Sequence, residues 1–522
     1  MIKHKEINSA LLAGFLLFMF LTGCAGLYPS QENEIRVQAE QHYIPVLKGR
    51  NNDVVSLTFD LQEEQRLKEL TFHIEGAHVL ESLLVYEVTG EGKAVQRSPV
   101  AALVEVGKNA KIKLDNVFAA GSHKLLINVQ PKEEASLLEQ FHISPSKVAF
   151  EKAETILQPF EENRSFRLAT SLRTAGDDGI AAYRIPGLAT TVKGSLIAVY
   201  DARYNSSVDL QEDIDVGMSR STDGGKSWEP MKIIMDMGEW GGKPQIENGI
   251  GDPAVLVDHS DNTIYVAALW AHGKPGERAW FSSGEGFSPE ETGQLILVKS
   301  EDDGQTWSPP INITSQIKKK EWKLMFNGPG KGITMRDGTL VFAGQFKDEN
   351  DMPHSTIIYS KDKGETWQIG TGAKSNTTEA QVVELNDGSL MLNMRDNRGG
   401  ARSVSITKDM GKTWEEHGSS RSALPEPVCM ASLITFPENR VEKDAPKLFF
   451  SNPAVTDGRY NMTIKESSDQ GLTWSKGLLL DAGKGWGYSC LTVIDEDHLG
   501  ILYESSQAHM TFQIIPIKEL GL

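Results

Sequence analysis

Cysteine is almost missing from this chain, with three in 522 residues, at Cys24, Cys429 and Cys490. So sparse a set excludes a disulfide-stapled scaffold. No Cys/His group has zinc-site spacing and no loop has the EF-hand pattern, so no metal or other cofactor is expected. Positive charge is in deficit, with 53 Lys and Arg against 71 Asp and Glu and a formal net charge of -18. Nucleic acid is therefore not the expected partner, because phosphate binding needs a basic surface. Long apolar runs are missing too. Beyond residues 10–21, no stretch reaches the roughly 18 apolar residues that cross a bilayer. What remains is 39% hydrophobic and carries 48 glycines, the composition of a turn-rich all-β protein. The length exceeds one ordinary core and predicts two domains or one large domain with an appendage. Cys429 and Cys490 both sit in apolar, strand-like runs and are expected as buried thiols rather than a bridge.

At the start, Lys3, His4 and Lys5 precede an apolar run ending in Leu21-Thr22-Gly23-Cys24. This resembles a bacterial lipoprotein signal, which implies removal of residues 1–23 and lipid attachment at Cys24. The expectation is an exported chain, periplasmic or at the cell surface, held to a membrane by that lipid. Residues 24–159 read as short strands separated by Gly, Asn and charged turns, for instance 54–59, 70–74, 83–88 and 124–129. A small β-sandwich is predicted there, either a spacer or a carbohydrate-binding module. The charged segment from Lys147 to Arg167 reads as a linker.

Residues 160–522 contain a repeat. Ser or Thr, Asp, Gly and Trp recur at fixed offsets in Ser221/Asp223/Gly225/Trp228, Ser300/Asp302/Gly304/Trp307, Ser360/Asp362/Gly364/Trp367, Thr407/Asp409/Gly411/Trp414 and Ser467/Asp469/Gly471/Trp474. Each reads as a hairpin turn in which Asp bonds backbone amides, Gly takes positive φ and Trp packs on the return strand. The copies start 47 to 79 residues apart. That is about the size of a four-stranded blade, and the repetitive part divides into six of them, predicting a six-bladed β-propeller.

The repeated turn resembles the Asp box of sialidases, its fourth copy departing only by Thr407 for Ser. Tyr183-Arg184-Ile185-Pro186 is similar to the Arg-Ile-Pro motif that opens sialidase catalytic domains. Arg395, closing the run 390–394, and Arg459, in the run 452–461, match the family's second and third arginines by motif and order. The resemblance implies that Arg184, Arg395 and Arg459 bind the substrate carboxylate, where bidentate guanidinium geometry outperforms lysine. It places the general acid at Asp209, 25 residues after Arg184, with Asp213 and Asp215 as rivals. It makes Arg203 a substrate contact, and Asp252 a contact to the polar ring substituents, although Asp-Pro also favours a plain turn. It puts the nucleophile at Tyr488 in Gly485-Trp486-Gly487-Tyr488, a tyrosine nucleophile being what is known of sialidases. Glu379 matches the base that activates it, with Glu384 as rival, and Glu504 is implied to orient Arg184.

The implied function is an exo-sialidase that releases terminal α-linked sialic acid from glycans, glycoproteins or glycolipids with retention, through a tyrosyl intermediate. The negative net charge is no obstacle, because a concave site can be locally positive. A trans-sialidase, including an intramolecular one, would share these residues. A non-catalytic glycan-binding propeller would keep the Asp boxes alone. The segment 270–292, with Trp270, Trp280, Phe281 and Phe287, is either an aromatic wall for the substrate or a surface loop.

Overall fold

The computed structural model describes residues 35–521 apart from 91–93, 161, 163, 211, 272–277 and 438–445. The signal segment 1–23 and Cys24 lie outside the described residues. The first part is a sandwich. One antiparallel sheet has the order Val37–Gln41, Asn52–Leu61, Gly121–Pro131, Leu80–Thr89 and Gln96–Val104. The facing sheet holds Asn109–Phe118, Gln65–Glu75 and Gln140–Phe150. Side chains alternate across each strand, so Leu57, Phe59, Phe72, Leu83, Ile127, Phe141 and Val148 all point into one buried core.

The expected linker is not one. Lys147 lies inside Gln140–Phe150, Glu154–Ile156 pairs back on that strand, and Phe166 opens the strand Phe166–Arg173. Phe166–Arg173 is hydrogen-bonded to Gln140–Phe150 on one side and to Met510–Pro516 on the other. Its Phe166 ring stacks on Phe141 at 5.2 Å and lies 5.8 Å from Tyr43. The sandwich therefore runs into the second part through a continuous sheet and a shared core. Charged residues in this stretch misled the sequence reading, because a half-exposed strand tolerates charge on its outer face.

Among the described residues the second part is a β-propeller of six consecutive, mainly antiparallel sheets. The first four strands of the series, Ala182–Thr190, Leu196–Arg203, Ile214–Ser221 and Lys232–Met235, set the pattern. First strands of successive sheets face one another near the axis. Leu188 N donates to Cys490 Sγ (3.2 Å) and Leu491 N to Ser432 Oγ (2.9 Å), while Gln381 Nε2 reaches Pro329 O (2.9 Å) in the turn after Leu324–Asn327. The last sheet takes three strands from the C-terminal end, Ser489–Val493, His498–Tyr503 and Met510–Pro516, and its fourth is Phe166–Arg173. This explains why six sheets carry five Asp boxes. Each box joins a third strand to a fourth, and in the last sheet the chain makes no such connection.

The boxes form as their chemistry predicts. In the fourth, Thr407 Oγ1 donates to Asp409 Oδ1 (2.9 Å), Gly411 N to Thr407 Oγ1 (2.9 Å) and Thr413 N to Asp409 Oδ1 (2.9 Å). Gly411 has φ +76°. Cys429 and Cys490 are buried thiols not joined in a disulfide.

Antiparallel order fixes which end of the propeller does what. Turns before first strands and after second strands share one end; the boxes, after third strands, lie at the other. At the first end, the first strands of three sheets carry a bulge, between Arg184 and Gly187, Gly251 and Ala254, and Thr377 and Ala380. Ile185 and Asp252 take positive φ there, +62° and +56°. Bulges re-aim side chains, and these three accompany Arg184, Asp252 and Glu379.

Candidate active site

A pocket of about 390 Å³ opens at that end, and Arg184, Arg395, Arg459, Asp209, Asp252, Glu379 and Tyr488 all line it. They come from first-strand starts (Arg184, Asp252, Glu379), a second-strand end (Arg395), loops after second strands (Asp209, Arg459) and the turn before Ser489–Val493 (Tyr488). Sequence separation reaches 304 residues, yet one rule of strand direction gathers them.

Tyr488 is the centre. Its hydroxyl donates to Glu379 Oε1 at 2.5 Å and accepts from Arg395 Nη1 at 3.0 Å, and the same Nη1 donates to Glu379 Oε2 at 2.6 Å. The guanidinium carbons of Arg184 and Arg459 lie 5.6 and 5.5 Å from its ring centroid. Three cations thus converge on one phenol. Burial and the Glu379 carboxylate push that phenol well above its ordinary value, with Arg395 and Arg459 opposing, so it rests protonated. Gly487, at φ +88°, passes so close that a Cβ would lie 2.9 Å from Pro453 Cγ and 3.1 Å from Arg459 Cβ. Arg459 is itself fixed by donating to Trp486 O (2.8 Å).

Glu504 is a buried hub. Its Oε1 accepts from Arg184 Nε (2.6 Å) and Ile185 N (3.0 Å), and its Oε2 accepts from Tyr488 N (3.0 Å). One carboxylate therefore fixes both the first arginine and the backbone of the tyrosine. The Trp486 ring lies 4.4 Å from the Arg184 guanidinium carbon. Its motif was quoted in the sequence, but its stacking role had no separate signal.

Asp209 stands at the mouth, its side chain 62% exposed and its Oδ1 2.5 Å from Arg203 Nη2. Burial raises its carboxyl, but Arg203 and Arg184 overcome this and hold it below the ordinary carboxylate range. Arg203 is fully buried, is not among the residues lining the pocket, and is paired with Asp201 and with Asp209. Its period-two register with Asp201 on the strand Leu196–Arg203 turns both to one face.

The rivals fall away. Asp215 accepts from the Tyr204 hydroxyl (2.9 Å) and is pushed up to about 7 by burial and Asp236, but it does not line the pocket. Asp213 is not a pocket residue either. Glu384 ends its strand at the opposite end, paired with Arg336 (2.9 Å). Asp252 does line the pocket; burial, with Asp201, Asp209 and Glu379 nearby, pushes its carboxyl well up. The aromatic segment splits. Trp270 is buried in a strand, edge-on to Trp240, whereas Trp280 and Phe281, on the single turn Ala279–Ser282, line the pocket. Phe326 and Gln345 also line it without any sequence signal, because only the fold brings those strand ends to the mouth. Among the described residues no group of His, Cys, Asp and Glu has a metal-binding arrangement.

The chain is similar to known proteins over nearly its whole length. A BNR repeat-like domain matches residues 185–453. A sialidase of Bacteroides fragilis is 46% identical, over 97% of this chain and 98% of its own. A solved structure, the Hadza microbial sialidase Hz136, is 45% identical with a TM-score of 0.87, over 92% of this chain and 99% of that one. Trypanosoma rangeli sialidase in complex with 2,3-difluorosialic acid, a covalent intermediate, shares the fold at 21% identity and TM-score 0.56, over 68% of this chain and 59% of that one.

Proposed function

The chain belongs to the sialidases, and from that premise we propose that its pocket releases terminal sialic acid with retention, through a glycosyl-tyrosine at Tyr488. Its activity is that of an exo-sialidase acting on sialylated glycoconjugates. The observation that carries the mechanism is the convergence of Arg184, Arg395 and Arg459 on Tyr488, with Glu379 at 2.5 Å from its hydroxyl.

The three arginines bind the carboxylate beside the anomeric carbon. Glu379 takes the phenol proton as Tyr488 attacks, a neutral nucleophile being spared repulsion from the substrate carboxylate. Asp209 protonates the departing glycosidic oxygen, then activates water to release the sugar. The depressed carboxyl of resting Asp209 fits this once substrate is counted. The incoming carboxylate offsets the field of Arg184, and the covering sugar removes water, so both changes raise the carboxyl towards the protonated form. Free sialic acid released from sialyllactose, followed by chromatography, is the expected product; an anhydro or transferred sugar in its place would overturn hydrolysis. Labelling by 2,3-difluorosialic acid should add mass to the peptide holding Tyr488, and labelling elsewhere would overturn the nucleophile.

Asp209→Asn should reduce kcat/KM for sialyllactose about 10²–10⁴-fold. With a 4-methylumbelliferyl sialoside, whose leaving group needs little protonation, the loss should shrink to about tenfold or less. Equal losses on both substrates would remove Asp209 from the acid role.

The six sheets are read as the six blades, with residues 24–159 as the preceding sandwich. The lipid at Cys24 follows from the sequence of the first 24 residues. Full-length protein should partition into detergent, and Cys24→Ser should shift it to the aqueous phase. Unchanged partitioning would refute the anchor.

A further inference from the structure

We propose that Asp201 is a positioning residue that shares the charge of Arg203 with Asp209 and so sets the highest pH at which Asp209 can donate its proton. The inference rests on the reading of Asp209 as general acid.

Asp201 and Arg203 are both fully buried on one face of the strand Leu196–Arg203. Arg203 donates from Nε (3.1 Å) and Nη2 (2.7 Å) to Asp201 Oδ2, and Nη2 also lies 2.5 Å from Asp209 Oδ1. Its Nη1 donates to Ser207 O (2.7 Å), at the base of the loop that carries Asp209. The other oxygen of Asp201 accepts from Asp252 N (2.9 Å), where the backbone has φ +56°. Gly251 abuts this carboxylate, and a Cβ there would sit 2.9 Å from Asp201 Oδ1. Asp201 thus bonds the arginine that pairs with Asp209 and the backbone of Asp252, and both Asp209 and Asp252 line the pocket.

One guanidinium serves two carboxylates. With Asp201 ionised, part of the Arg203 field is spent inside the protein, and Asp209 keeps a proton to higher pH than it would beside an unshared cation. The other titratable groups facing this set are Arg184, Asp252, Glu379 and Arg395. Burial pushes Asp201 up and Arg203 opposes; its oxygens accept two N–H bonds from Arg203 and one from Asp252 N, the pattern of an ionised, acceptor-only carboxylate. A merely architectural role for Asp201 would disturb catalysis equally at every pH.

The deciding measurement is the pH profile of kcat, which reports groups in the substrate complex, for full-length wild type and Asp201→Asn. Sialyllactose and the 4-methylumbelliferyl sialoside serve as substrates. In Asp201→Asn the basic limb on sialyllactose should move down by about one pH unit, equivalent to tenfold less protonated Asp209 above the limb. The loss on the aryl sialoside should be several-fold smaller. Arg203→Gln should move the limb the opposite way, to higher pH, because Asp209 loses its cation. A basic limb unmoved in Asp201→Asn, with a uniform loss on both substrates, overturns the proposal. Should thermal melting show Asp201→Asn unfolded, the upward shift in Arg203→Gln decides alone, and its absence overturns the proposal. Failure of the acid reading itself looks different: Asp209→Asn would then lose both substrates equally.

Discussion

Replacing Tyr488 by phenylalanine is expected to lower kcat by about a thousandfold or more while leaving the fold and the affinity for free sialic acid near those of the wild type. The ring packs with Ile185, Cys429 and Met430 and keeps its contacts with the Arg184 and Arg459 guanidinium groups, and phenylalanine preserves all of this. Only the hydroxyl is lost. Glu379 does not become an isolated buried charge, because Arg395 Nη1 remains 2.6 Å from its other oxygen. The carboxylate clamp therefore survives while the nucleophile is gone. Calorimetric binding of sialic acid within about threefold of wild type, together with the collapse of kcat, is the expected pair of results. A kcat within tenfold of wild type would mean that attack comes from another group, water or carboxylate, and the tyrosyl mechanism would fall.

Glu379→Gln bears on the same step from the other side. The phenol is held well above its ordinary value by burial and by Glu379 itself, so it must lose its proton as it attacks and cannot rest as a phenolate. The carboxylate 2.5 Å away is the group placed to receive that proton. This separates the two acidic residues of the mechanism by environment. Glu379 lies against a cation beneath the sugar, and Asp209 stands at the rim where an incoming carboxylate changes its surroundings.

What the sequence revealed and what it hid divide by range. The Asp boxes were legible because their bonds close within eight residues: Asp409 reaches Thr407 and Thr413, and Gly411 supplies the positive φ. Arg184, Glu379, Arg395, Arg459 and Tyr488 were legible from motifs, and the structure brings them to one pocket. The depth of Arg203 was not legible, because a motif names a residue but not its burial. Whether an arginine faces a ligand or lies behind its neighbour depends on the partner carboxylate, here Asp201, two residues away and silent in the sequence. Phe326 and Gln345 left no trace because a strand end looks alike at either end of a propeller. The supposed linker failed for a related reason: Phe166–Arg173 is apolar enough for a strand, but while one partner, Gln140–Phe150, lies just upstream, the other, Met510–Pro516, lies more than 300 residues downstream. Closure of the propeller is a long-range fact.

Glu504→Ala should be the most destabilising single change in the site, by about 3–5 kcal/mol, and should also reduce kcat/KM by at least about a hundredfold. The side chain is 1% exposed and that of Arg184 11%, so solvent screens the pair little. Removing the carboxylate leaves a buried guanidinium with its main partner gone and two amides, Ile185 N and Tyr488 N, without acceptors. Glutamine repairs only part of this, because one of its two polar atoms is a donor facing donors. A double variant separates stability from chemistry. In Glu504→Ala/Arg184→Ala the stranded charge is gone, so denaturant melts should show less destabilisation than the sum of the single variants, whereas activity stays lost. A Glu504→Ala cost below about 1 kcal/mol, or strict additivity in the cycle, would mean that Arg184 finds another anion when Glu504 is removed. Should the cycle couple as expected, the carboxylate that holds the first arginine also holds the tyrosine backbone, and binding and attack share one buried support.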